Sequence, residues 1–69
     1  MLDFQITRSS YERMPEFTML LDAERVKVRI IYTDKLVVSV KEKDEERFRK
    51  LANKEKIEIQ LEQYIKTLY

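Results

Sequence analysis

The sequence predicts an α+β fold in which an antiparallel sheet of three to four strands carries C-terminal helical structure on one face. Three observations support this prediction. Apolar and polar residues alternate in several short stretches of the first 41 residues, apolar residues recur at helical intervals after residue 44, and the 69 residues suffice for one small domain. The elements follow from these patterns one by one.

The first third of the chain is predicted to supply two strands. Apolar and polar residues alternate at the beginning, which is the period of a half-buried strand and predicts one over about 2–8. Pro15 disfavours helical backbone at the residue before it, so we expect only a turn or a short helix over 9–16. The mostly apolar run that follows, ending at Asp22, favours a second strand over about 17–22.

The middle of the chain predicts a β-hairpin. Valines and an isoleucine alternate with basic residues, which indicates a strand over about 25–33. A polar turn at Asp34 leads into a second alternating run over about 36–41. Because the chain has no glycine, we expect that Asp34 adopts the unusual backbone conformation of a tight turn or that the loop is longer.

The last third is predicted to be helical. Asp44 can cap a helix over about 44–53, in which apolar residues recur at intervals of three and four. The remaining segment permits two interpretations. Its apolar residues fit one stripe of a helix over about 56–68, and the alternative is a strand at 56–61 followed by a shorter helix.

The composition argues against most kinds of catalysis. The sequence contains no glycine, histidine, cysteine or tryptophan. Without histidine and cysteine a catalytic triad, an imidazole base and a zinc site of the usual ligands cannot form, and without glycine the common phosphate-binding loops cannot form. The carboxylates alternate with apolar residues or lie among lysines, as on a solvated surface. We therefore expect a protein that is not an enzyme and has no metal, cofactor or small-molecule substrate.

The same composition bears on oligomeric state. Small domains often depend on disulfides, a metal or a partner subunit, and the first is impossible here. We therefore expect a homodimer, the commonest assembly of soluble proteins. The candidate oligomer seam is the apolar stripe of the last residues: Tyr64, Ile65, Leu68 and Tyr69. In the alternative interpretation these side chains pack in the core of their own chain.

Positive charge is concentrated in the middle of the chain. The net charge is only +1, yet eleven of the fourteen lysines and arginines lie between residues 25 and 56. Basic residues that alternate with core residues on a hairpin should project from one face of the sheet. This candidate binding face consists of Arg25, Lys27, Arg29 and Lys41. A solvated surface is the simplest interpretation, and a protein partner or a nucleic-acid backbone would also suit it.

These observations lead to a functional expectation. We expect a small interaction or regulatory protein that acts as a homodimer and binds another macromolecule through its sheet. The alternative is a nucleic-acid-binding protein that contacts the phosphate backbone through the basic hairpin face. The longest apolar runs are three residues, far short of the roughly 20 that span a bilayer, so we expect a cytoplasmic protein that does not enter membranes.

Overall fold

The computed structural model describes residues 1–62, which form four strands and two helices. In chain order they are β1 (Leu2–Ile6), α1 (Met14–Ala23), β2 (Val28–Tyr32), β3 (Leu36–Val40), α2 (Glu45–Lys54) and β4 (Ile59–Leu61). A short 3-10 turn precedes each helix, Arg8–Arg13 before α1 and Glu42–Asp44 before α2. The predicted α+β class is confirmed.

The strands form one antiparallel sheet in the order β2-β3-β1-β4. A β-α-β-β-α-β chain with this order has the split β-α-β arrangement, in which each helix connects two strands that are not neighbours in the sheet. The described part of the chain therefore consists of two similar halves, each a strand, a 3-10 turn, a helix and a second strand. β1 and β3 lie at the centre of the sheet, while β2 and β4 form its edges.

Both helices pack on one face of the sheet, which we call the inner face. The ring of Phe48 on α2 lies 5.0 Å from that of Phe4 on β1 and 5.5 Å from that of Phe17 on α1, measured between centroids. All three rings are fully buried, and this aromatic contact joins the sheet to both helices. Within residues 1–62 the buried core consists of Phe4, Ile6, Met14, Phe17, Leu21, Val26, Val38, Val40, Phe48, Ala52 and Ile57.

The two helices end in the same way. After α1, the amide of Arg25 donates to the carbonyl of Asp22 at 3.0 Å, and the amide of Val26 donates to that of Leu21 at 2.9 Å. This pair of hydrogen bonds is the Schellman motif, in which the residue after the helix cap takes the left-handed conformation. Arg25 has φ of 61°, although glycine usually fills this position.

The end of α2 repeats this geometry. The amide of Lys56 donates to the carbonyl of Asn53 at 3.1 Å, and the amide of Ile57 donates to that of Ala52 at 2.8 Å. Lys56 has φ of 57°. Within residues 1–62, Arg25 and Lys56 are the only residues with positive φ, so Asp34 does not supply the unusual conformation expected at the hairpin turn.

The predicted strand over 17–22 is wrong, because this segment belongs to α1. Met14, Phe17 and Leu21 are buried at helical spacing on the side that faces the sheet. Pro15 does not prevent the helix, because it lies in the first helical turn. Backbone amides in that turn have no acceptor within the helix, so the amide hydrogen that proline lacks is not needed there.

The predicted helix over 56–68 is wrong over its described part. Residues 55 and 56 form the turn that ends α2, and β4 begins at Ile59, within the alternative of a strand at 56–61. Glu58 fixes this segment, because its amide donates to the buried Ser10 hydroxyl at 2.8 Å and its carbonyl accepts from the Thr7 amide at 3.1 Å. β1 thereby gains a second neighbour, whereas residues 63–68 of the prediction lie outside the described part of the chain.

The other predicted elements are confirmed with shifted ends. The strand over 2–8 ends at Ile6, and the helix over 44–53 runs from Glu45 to Lys54. The hairpin is formed by β2 and β3, but the strand predicted over 25–33 begins only at Val28. Its first residues are occupied by the turn that ends α1.

Candidate functional site

The side of the sheet opposite the helices, which we call the outer face, is the first candidate surface. Its side chains come from alternate positions of all four strands: Asp3, Gln5, Arg29, Ile31, Val37, Ser39 and Gln60. Both helices lie on the inner face, so within residues 1–62 no helix covers this one.

Polar contacts order the centre of the outer face. The hydroxyl of Ser39 donates to the carboxylate of Asp3, its direct neighbour on β1, and Ser39 is only 6 % exposed. The ammonium of Lys35 lies 3.1 Å from the carboxylate of Glu62. These contacts hold polar side chains of the outer face in defined positions.

The candidate binding face is only partly brought together by the structure. Arg29 lies on the outer face opposite Ser39. Lys27 precedes β2 and Lys41 follows β3. Val28 and Val40 are the last pair of the two strands, so the next pair along the same register would be these two lysines. Arg25 lies apart from the other three, in the left-handed turn after α1. All four side chains are exposed.

The β2 edge is the most apolar exposed part of the described chain. Three consecutive residues stand out of the surface: Ile30 is 45 % exposed, Ile31 is 42 % exposed and Tyr32 is 65 % exposed. Ile31 belongs to the outer face, whereas the other two have the parity of the inner face. They remain exposed because the helices cover the central strands more fully than β2.

A groove runs between β2 and α1 on the inner side of this edge. Its larger part has a volume of about 490 Å³ and is lined by Thr18, Leu21, Asp22, Arg25, Val26, Lys27, Val28 and Ile30. A second hollow of about 290 Å³ lies against Tyr32 and is completed by Tyr11, Met14 and Leu36. The rings of Tyr11 and Tyr32 meet edge to face, with centroids 6.1 Å apart.

The groove was not predicted from the sequence, because it requires α1 to be a helix. Its signal was present in the spacing of Met14, Phe17 and Leu21, which fits one face of a helix. The prediction of a strand over 17–22 concealed it. The candidate oligomer seam of Tyr64, Ile65, Leu68 and Tyr69 lies outside the described residues.

Other kinds of site have no support within residues 1–62. No group of three histidine, cysteine, aspartate or glutamate side chains in this range could hold a metal ion. No helix in the same range is long and apolar enough to cross a membrane. Comparison of the chain with models of protein families, with curated proteins and with solved structures found no match.

Proposed function

We propose that this chain is a small non-enzymatic interaction protein that acts as a homodimer and binds another macromolecule through its sheet. The observation that carries the proposal is the run of three exposed apolar residues on β2, at the edge of the sheet. Exposed apolar residues on an edge strand promote pairing with other chains, and natural proteins normally replace or cover them. Their presence here favours an interface.

The open outer face supports the same proposal. A binding surface in general combines apolar residues with a polar rim. Ile31 and Val37 lie opposite each other on this face, and Arg29 and Ser39 form the adjacent pair. This mixture suits a macromolecular partner better than a small molecule, which would need a deeper cavity.

The first test separates the homodimer from the monomer. Light scattering of the full chain at several concentrations is expected to give the dimer mass, and Ile65→Lys with Leu68→Lys is expected to give the monomer mass. A matched change on the exposed side of α2, Lys50→Glu, should leave the dimer intact. A monomer at every concentration contradicts the homodimer, and it places the C-terminal stripe in the core of its own chain.

The second test addresses the sheet as the binding surface. Ile31→Lys is expected to abolish binding of a macromolecular partner without unfolding the protein, since this residue is already 42 % exposed. Met19→Lys introduces the same charge at a residue of α1 that is 72 % exposed, far from the outer face in the fold. Equal effects of the two changes would contradict binding through the sheet.

A nucleic acid is the second candidate partner, favoured by the placement of Lys27, Arg29 and Lys41 at one end of the outer face. Binding through phosphate contacts weakens steeply as salt increases. The slope of log K against log salt should fall by about one for each cation removed, as in Lys27→Ala or Arg29→Ala. No mobility shift with single- or double-stranded DNA or RNA at low salt would exclude this candidate.

A further inference from the structure

We propose that the β2 edge and the adjoining groove bind an extended segment of a partner protein in which apolar and acidic residues alternate. The segment would add a fifth strand to the sheet. This inference rests on the proposed function, and it specifies the position, the backbone conformation and the side-chain pattern of the partner.

The hydrogen-bonding phase of β2 is fixed by the hairpin. The amide of Thr33 donates to the carbonyl of Lys35 at 3.2 Å. In an antiparallel ladder, bonded and non-bonded pairs alternate, so the residues of β2 bonded to β3 are Arg29 and Ile31. The amides and carbonyls of Val28, Ile30 and Tyr32 consequently point away from β3, toward the free edge.

This phase determines where the side chains of an added strand would lie. Residues that face each other across an antiparallel pair share one face of the sheet. Partner residues bonded to Val28, Ile30 and Tyr32 would therefore direct their side chains to the inner face, which the groove between β2 and α1 occupies there. Leu21 and Ile30 contribute apolar surface to that groove, so apolar partner side chains fit these positions.

The intervening partner residues would lie on the outer side, where the charge is positive. One would face Arg29 directly, and the next would approach Lys27. Arg25 adds a third cation at the mouth of the groove, against the single carboxylate of Asp22. Acidic residues at the intervening positions would complement these charges, and complementary charge favours both the encounter and the correct register.

A second copy of this chain fits the β2 edge less well. If two β2 strands pair antiparallel about Ile30, each Arg29 faces Ile31 and each Lys27 faces Thr33 of the other copy, so neither cation faces an acidic residue directly. β4 is the other edge strand of the sheet, but its one polar residue, Gln60, has no charge to complement Arg29. Joining β2 of one copy to β4 of another continues into an open array unless a symmetry axis repeats the contact and closes it.

The test uses the full chain labelled with ¹⁵N and the probe acetyl-Glu-Val-Glu-Val-Glu-Val-Glu-amide. We expect chemical-shift changes along β2 and in the helix wall at Thr18 and Leu21. We also expect slower hydrogen exchange at the amides of Val28, Ile30 and Tyr32, which the added strand would cover. The amides of Arg29 and Ile31 should change little, because they are already bonded to β3.

Control peptides and variants test the pattern. A peptide with lysine in place of glutamate should not bind, and N-methylation of the three valines should abolish binding, since these residues supply the new backbone hydrogen bonds. Lys27→Glu should weaken binding roughly fivefold, as expected for reversal of one exposed charge contact. Lys50→Glu, with the same change of net charge on α2, should leave the affinity unchanged.

Three results would overturn the inference. Shift changes confined to outer-face residues, without protection of alternate amides in β2, would leave the sheet as a binding surface but remove the strand addition. Protection of the same amides without peptide, together with a mass that increases with concentration, would identify a second copy as the occupant. Binding of nucleic acid but not of the acidic peptide would indicate that the partner is a nucleic acid and not a protein segment. If the full chain is also monomeric and binds none of these probes, the proposed function fails with the inference.

Discussion

Glycine at two surface positions should stabilise this protein, although glycine normally destabilises folded chains. The positions are Arg25 and Lys56, each in the left-handed conformation at the end of a helix. The left-handed region costs a residue with a Cβ atom roughly 1–2 kcal/mol, whereas glycine adopts it freely. Both side chains are exposed, so their removal exposes no core.

The expected gain follows from two opposing terms. Glycine removes the energetic cost of the left-handed conformation. Its greater conformational freedom in the unfolded chain, however, lowers the stability of the folded state by about 0.5–1 kcal/mol. Arg25→Gly and Lys56→Gly should therefore each raise the free energy of unfolding by about 0.5–1 kcal/mol. In a chain of this size, 1 kcal/mol corresponds to a change in Tm of roughly 4–8 °C.

The assay is thermal and urea denaturation of the full chain, followed by circular dichroism. The matched control is Lys50→Gly, which places glycine inside α2 and should lower the stability by about 1 kcal/mol. The two helix-end variants and the control thus have effects of opposite sign. If all three variants are destabilised equally, the left-handed geometry at Arg25 and Lys56 is refuted.

Three further predictions concern the contacts that hold the sheet and helices together. Ser10→Ala should cost about 1–3 kcal/mol by urea denaturation, because the Glu58 amide loses its buried acceptor, while Ser9→Ala at the exposed neighbour should have an effect below about 0.5 kcal/mol. Phe48→Ala should cost about 3–5 kcal/mol in the same assay, since its ring contacts those of Phe4 and Phe17, and a cost below 1 kcal/mol would contradict this core. The Leu36 amide donates to the Tyr11 hydroxyl at 3.2 Å, so Tyr11→Phe should lower the free energy of unfolding by about 1 kcal/mol and speed hydrogen exchange at this amide. Unchanged exchange at Leu36 would argue against this hydrogen bond.

The hairpin and α2 could be predicted from the sequence because one local pattern decided each of them. Alternation of valine and isoleucine with polar residues indicates a strand wherever it occurs in the fold, as in β2 and β3. Apolar residues at intervals of three and four indicate α2 in the same way. These patterns depend on the period of the element and need no knowledge of its neighbours.

The two wrong elements, the strand over 17–22 and the helix over 56–68, lie where a local pattern fits both a helix and a strand. The run from Phe17 to Leu21 is mostly apolar and fits either a strand or the buried side of a helix. Pro15 breaks a helix in its interior but is tolerated in the first turn, where it lies in α1. In the segment 56–62, the pairing with β1 decided in favour of a strand. That pairing depends on tertiary contacts, including the one between Glu58 and Ser10.

The candidate site was anticipated in part for a related reason. The positive charge of the hairpin is visible in the sequence, and Arg29 lies on the face that the alternation predicts. Arg25 was assigned to the strand, but the Schellman turn after α1 holds it instead. The groove between β2 and α1 could not be inferred from the hairpin alone, because one of its walls is a helix that was predicted as a strand.

Residue-resolved hydrogen exchange of the free full chain at low concentration shows whether the sheet offers an open β2 edge to a partner. Amides bonded within the sheet should exchange slowly and unbonded edge amides quickly. We predict slow exchange at Arg29 and Ile31 and fast exchange at Val28, Ile30 and Tyr32. Uniform protection of all five amides would mean that the β2 edge is already covered and therefore not open to a partner.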